Sequence, residues 1–258
     1  MEKHKLGIVF SGGGARCMGH LGVLKALEEY NIDASCVAGT GAGAVVAALY
    51  ADGCSAEKGL SIFKESKIFK FRGLNWSKPG LMNTEKYLGF ISDYFGDKQF
   101  SDLEKELFVV ATDLLHGRIK SFSTGNISKP LLASCAMPIL YSPVSIEGSL
   151  YIGGKVIDNF PVEQIKGKAA QILGLYASHI KKVHKDDLKH SRTVMDRVLE
   201  ISNVYTSKVK MDWCTWVASP PSLKHYGTFT LSKMDEIFEI GYNHGLQLAP
   251  RIREEMIF

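Results

Sequence analysis

Short apolar runs bounded by glycine alternate, in the N-terminal part of the chain, with stretches whose apolar residues recur at helical spacing. KLGIVF (5–10) is β-branched and aromatic and ends in glycines, the pattern of a strand buried on both faces. SGGGAR (11–16) leads into HLGVLKALEEYNI, where Leu21, Leu24, Leu27 and Tyr30 fall on one helical face. A second apolar piece, 34–38, feeds a GTGAG corner (39–43) and a small-residue helix from Ala44 to Tyr50. Two strand-helix units so close together predict an α/β fold on a parallel sheet.

The pattern changes over 56–100, where strand alternation stops and aromatic and basic residues crowd together, among them Phe63, Lys64, Lys67, Phe69, Phe71, Arg72 and Trp76. A helical excursion with core-facing aromatics is the plainer reading. The functional one is a lid or interfacial contact through 63–78, since aromatics mixed with Lys and Arg suit the lipid headgroup zone. Strands are predicted at 106–114, 117–125 and 171–177, with another opening the 150–162 stretch, and a helix at 127–136 that stops before Pro138. The charged segment 179–192 reads as a solvated loop. Residues 193–211 and 233–247 read as amphipathic helices that close the domain. The expected organisation is thus an α/β core over 5–175 and a mainly helical part, 176–258, packed on it within the same domain.

Composition narrows the function classes. The net charge of +4 over 258 residues is spread among mixed charges, which gives no reason to expect nucleic acid as a partner. Cysteines 17, 36, 54, 135 and 214 are odd in number and contain no C-x-x-C pair, so a reducing, cytoplasmic compartment is the simplest reading. No apolar run approaches the roughly 20 residues of a spanning helix, so contact with a membrane is expected to be peripheral. His179, His184 and His190 have no partners at ligand spacing, and neither a metal nor a cofactor is called for.

Two glycine-rich turns carry the candidate chemistry. Gly12, Gly13 and Gly14 lie between a strand and a helix, where backbone amides can hold a phosphate or an oxyanion. A dinucleotide fingerprint would need glycine at Cys17, and a P-loop would need Gly-Lys-Ser/Thr, so both nucleotide readings fail on residues. The second turn, GTGAG, has the form of a nucleophile elbow, G-x-S-x-G, with Gly41 at the place of the serine.

GGGAR with the following H-x-G-V-L (12–24), GTGAG (39–43), VATDLLHGR (110–118), ASCAMPILYSPV (133–144) and DNFPV (158–162) together resemble the patatin-like phospholipase family over about residues 5–175. The resemblance implies a three-layer α/β/α fold with a mainly parallel sheet and helices on both faces. It implies a lipid acyl hydrolase acting on fatty-acyl esters through a serine–aspartate dyad, with the glycine-rich loop as oxyanion hole. Carried over by position, Gly12, Gly13 and Gly14 supply the oxyanion amides, Arg16 fixes their loop, and Gly41 stands where the nucleophile should be. Counting back from Pro161 puts the acid at Gly153; anchoring on the glycine pair puts it at Ile152. Neither has a carboxylate, Cys17 stands where the family has glycine, and Lys155 stands in the acid turn.

Rescue by a neighbour is not expected. Thr40 and Ser11 flank the turns, but a side chain beside a sharp turn points elsewhere, and a displacement of about 1 Å already costs on the order of a hundredfold. The sulfur of Cys17 would have to enter the oxyanion hole. Asp158 reads as a turn former and His20 as a packing and hydrogen-bonding residue. Two readings stay open: a hydrolase scaffold that is inactive in this form, and a non-catalytic lipid-binding or regulatory pseudoenzyme.

Overall fold

The computed structural model describes residues 4–66, 82–87 and 89–256. β1 (His4–Phe10) lies in the middle of the sheet, pairing in parallel with β2 (Cys36–Thr40) on one side and β7 (Ala169–Leu175) on the other. β2 pairs in parallel with β3 (Glu106–Asp113), and β7 with β8 (Trp216–Ala218). Strands β4 (Arg118–Phe122), β5 (Val144–Ile146) and β6 (Ser149–Gly153) run antiparallel to their partners: β4 and β6 pair β3, and β5 pairs β6.

One feature of this register positions the site. Val110 of β3 pairs with both Thr40 of β2 and Ser121 of β4, whereas Ala111 pairs with both Lys120 of β4 and Gly153 of β6. A strand has two edges, so β2 and β6 share the edge opposite β4. Thr40 and Gly153 therefore meet end to end.

Strand alternation divides the core. Ile8, Phe10, Val37, Leu107, Val109, Leu173 and Leu175 face one cluster, and Val9, Cys36, Ala38, Phe108 and Ile172 face the other. Helices α1 (Met18–Glu29), α2 (Ala42–Ala51), α3 (Ala56–Glu65), α5 (Gly89–Phe95), α6 (Ser128–Cys135) and α8 (Met234–Glu255) supply residues to the first cluster; a short helix, α4 (Thr84–Tyr87), precedes α5. The second face is covered by Phe160, Val162 and Ile165 and by the C-terminal end of α7 (Ser191–Met211). In α2 every residue from Gly43 to Ala51 is buried, which its run of Ala and Val permits.

The sequence-based boundaries hold for most core elements and shift where tertiary contacts intervene. Residues 67–78 of the suggested interfacial stretch lie outside the described residues; Phe63 packs in the core and rests against Phe90. Strands β5 and β8 are too short to show a period. Helix α8 continues past Gln247 and through Pro250, because Ala249 and Ile252 are buried and Glu255 is tied to Trp216 Nε1 (2.7 Å) and, by its carbonyl, to Gln171 Nε2 (3.0 Å). Segment 179–192 is mostly irregular, as expected, with one 3-10 turn at Lys185–Leu188.

Helices α1 and α8 cross at backbone contact, since a Cβ on Gly22 would collide with Phe238 O and one on Gly241 with Gly19 O. Overpacking of this kind typically costs about 1–3 kcal/mol. Gly22→Ala is therefore expected to lower stability by about 2 kcal/mol, read from urea unfolding; an unchanged midpoint would contradict the close crossing.

Candidate active site

The GTGAG corner joins β2 to α2. Gly39 and Gly43 are set by proximity: a Cβ on Gly39 would lie 2.6 Å from Ala44 Cα, and one on Gly43 would collide with Ser11 O. Gly41 is different. Its φ of 60° and ψ of −133° are disfavoured for any residue with a side chain, yet the nearest atoms to an added Cβ are Ser134 O at 3.8 Å and Gly12 Cα at 4.0 Å. The corner combines a backbone conformation disfavoured for residues with a side chain and room for one.

Gly153 adjoins this corner through the sheet register. Its N–H donates to Ala136 O (2.7 Å), its carbonyl accepts from Thr112 Oγ1 (3.1 Å), and an added Cβ would stand 3.0 Å from Ala136 O and 3.5 Å from Ser134 O. Side chains grafted at 41 and 153 would thus start within 4 Å of the same carbonyl oxygen, that of Ser134. Ile152, the other candidate for the acid, pairs with Thr112 and sits in the hydrophobic core.

The triglycine loop lies beside Gly41. Gly12 N–H is engaged with Asn159 O (3.2 Å), whereas the Gly13 and Gly14 amides have no hydrogen-bond partner among the described residues. Gly12 O accepts from Ser178 Oγ (2.9 Å) and Asn159 Nδ2 (3.4 Å). Arg16 is buried, donates from Nε to Gly13 O (3.3 Å) and pairs with Glu200 at 3.5 Å, so it ties the loop to α7. All these groups line a cavity of about 460 Å³, a usual size for a ligand site. Its apolar wall includes Val45, Phe63, Phe90, Met137 and Tyr141, and its polar wall includes Lys155, Asn159, Ser178 and Glu200. The N-terminus of α2, the positive end of its dipole, also opens on it.

The family profile described as Patatin-like phospholipase matches residues 8–166, well over half of the chain. The chain belongs to the patatin-like phospholipase family. Among curated proteins it is similar to "Lysophospholipase nte1" of Aspergillus fumigatus, with 28% identity over 97% of this chain and 18% of that protein. "Lysophospholipase NTE1" of Pyricularia oryzae is 27% identical over 97% of this chain and 19% of its own length. The chain thus spans under a fifth of these relatives. In fold it resembles VipD from Legionella pneumophila, with a TM-score of 0.55, 16% identity, and coverage of 97% of this chain and 67% of that one. The mostly parallel sheet with helices around it is the patatin-like α/β/α architecture.

Within this patatin-like frame, the neighbouring polar side chains are committed elsewhere. Thr40 is buried and its hydroxyl donates to Asp158 O (3.1 Å); Ser11 Oγ accepts from Ala177 N (2.9 Å). Cys17 is buried against Ser11 O, and burial pushes its thiol well above the ordinary range. Asp158 turns away from the cavity to Lys210 (2.7 Å) and Phe160 N (2.9 Å); burial raises its carboxyl, and Lys210 opposes the rise. His20 donates from Nε2 to Ser11 O (3.0 Å) and packs edge-on against Phe10. Among the described residues, no three His, Cys, Asp or Glu side chains are grouped to hold a metal ion.

Two cavity residues carry weight that the residue pattern did not announce, and Lys155, which the pattern placed at the acid turn, joins them. Ser134 Oγ accepts from Gly41 N (2.8 Å) and donates to Val110 O (2.6 Å), so both its bonds serve the elbow. Cys135 lines the wall, but burial pushes its thiol up to about 12, so it stays protonated at neutral pH. Lys155 enters the cavity, and burial lowers its amine from the usual lysine value against the opposing charge of Asp196.

Two outcomes are expected. Gly41→Ser forces a side chain onto the strained corner and should lower stability by about 1–3 kcal/mol, visible as a lower Tm; a rise would contradict the elbow. His20 is held neutral by burial, its pKa lowered to about 4. Between there and the unfolded value near 6.5, the unfolded chain binds more protons, so stability rises with pH and is complete above that window. Urea midpoints should fall on acidification from pH ~6.5 to ~4, and His20→Gln should flatten that slope.

Proposed function

We propose that this chain is an acyl-lipid-binding member of its family in which dyad hydrolysis is lost, with Gly41 at the nucleophile position and Gly153 at that of the acid. The observation that carries this reading is the pair of glycines at one corner of the cavity, both opening toward Ser134 O, with neither hydroxyl nor carboxylate on them. In a complete dyad the serine hydroxyl attacks the ester carbonyl, its proton passes to the aspartate, and the alkoxide forming on the carbonyl oxygen is held by amides. This chain retains amides for that role at Gly13 and Gly14, with Arg16 as the strut of their loop. The apolar wall suits an acyl chain, and the curated relatives, named as lysophospholipases, favour a single-chain phospholipid as its source. The surrounding hydroxyls and thiols, already bonded or held protonated, give no replacement nucleophile.

Restoration tests this directly. Gly41→Ser alone should remain silent toward short-chain p-nitrophenyl esters. Gly41→Ser with Gly153→Asp should hydrolyse them on the order of a hundredfold faster than either single variant, the usual share of a positioned general base. Because an added Cβ at 153 presses on Ala136 O at 3.0 Å, and Lys155 enters the cavity from the turn that follows, Lys155→Gly belongs in the series. Hydrolysis by the unaltered chain at the rate of the double variant would overturn the proposal, as would silence of the double and triple variants when folded.

A further inference from the structure

Helix α7 is built inside out. Its stripe at helical spacing, Val194, Val198, Ile201, Tyr205 and Val209, faces solvent with exposures from 38% at Ile201 to 69% at Tyr205, and Met195 beside it is 45% exposed. Among the described side chains of α7 the buried ones are polar, Asn203 and Ser207, and its inner face, with Asp196, Arg197, Glu200 and Asn203, lines the cavity. The helical period was legible in the sequence, but its apolar face points the opposite way from that of a core-closing helix. An apolar stripe of this length left in water marks a contact surface.

The surrounding charge selects the partner. Residues 181–192 carry five Lys or Arg against two Asp, and Lys182 and Lys185 are exposed without an ion-pair partner among the described residues. Exposed Lys208 lies at the other end of the stripe. Were two copies of α7 to pair, parallel or antiparallel, basic ends would meet basic ends, which disfavours self-association. An apolar helical face flanked by cations fits the boundary between headgroups and acyl chains of an anionic lipid surface. The helix is not a span: no helix among the described residues is long and apolar enough to cross a membrane.

We propose that α7 docks the chain on an anionic lipid surface, with Val194, Val198, Ile201, Tyr205 and Val209 lying in the interface and Lys182 and Lys185 on lipid phosphates. Because the inner face of the same helix forms a wall of the cavity, docking brings the ligand site to the layer that holds acyl lipids. The proposal does not depend on what the cavity binds.

Flotation with phosphatidylcholine vesicles, with and without phosphatidylglycerol, tests it. The unaltered chain should float with the anionic mixture. Val198→Gln with Tyr205→Gln and Val209→Gln should weaken that partition about tenfold or more, while Lys182→Gln with Lys185→Gln should weaken only the anionic component, also by about tenfold. These positions are exposed, so melting curves should match the parent; if the triple variant melts early, Tyr205→Gln alone decides. Equal flotation of parent and apolar-face variants would overturn the proposal, as would a parent that does not float. A dimer by light scattering that the triple variant dissolves, without lipid binding, would assign the face to a second copy instead.

Discussion

Ser134 Oγ sits between two backbones, accepting from the Gly41 amide and donating to the Val110 carbonyl. This one hydroxyl pins the β2–α2 corner to β3 at the place where the pairing of β3 passes from β2 to β6. The register there leaves no slack: Thr40 opposes Val110, and Gly153 opposes the next residue, Ala111. Gly154, following Gly153, is held so tightly that a Cβ on it would collide with Val110 O. The strained conformation at Gly41 persists because the strand before it, the helix after it and the Ser134 hydroxyl beside it all fix its position.

That arrangement separates two demands usually merged in one motif. Gly39 and Gly43 serve packing, and no side chain would fit at either without moving backbone. Gly41 serves no comparable packing need, since the atom nearest an added Cβ lies 3.8 Å away, whereas a Cβ on Gly153 would press on Ala136 O at 3.0 Å. Glycine at these two places leaves the frame standing and avoids strain at the first. The polar residues around them have structural duties: Arg16 braces the glycine loop and α7, Asn159 and Ser178 hold the Gly12 carbonyl, and His20 supports Ser11.

Much of this was legible in the residues. β1, β2, β3 and β7 announce themselves as dense apolar runs, and the two glycine turns mark the site because each lies between a strand and a helix. The rest was hidden for physical reasons. Ser134 is one serine in an ordinary helix until the fold brings Gly41 and Val110 to it across long loops. The sequence-based helix ends at Gln247, and buried Ala249 and Ile252 with the Trp216–Glu255 bond carry it through Pro250. In α7 the periodicity gives an apolar face but not its direction, and only the fold shows polar Asn203 and Ser207 turned inward.

An acyl lipid held in the cavity with its ester intact is the state that distinguishes a binding protein from a hydrolase. Native mass spectrometry of the chain during prolonged incubation with a lysophospholipid reads both halves of it. The expected result is a non-covalent complex at the mass of the whole lipid, with no free fatty acid beyond that of a protein-free control. An acyl adduct on the chain, or fatty acid accumulating above that control, would contradict it.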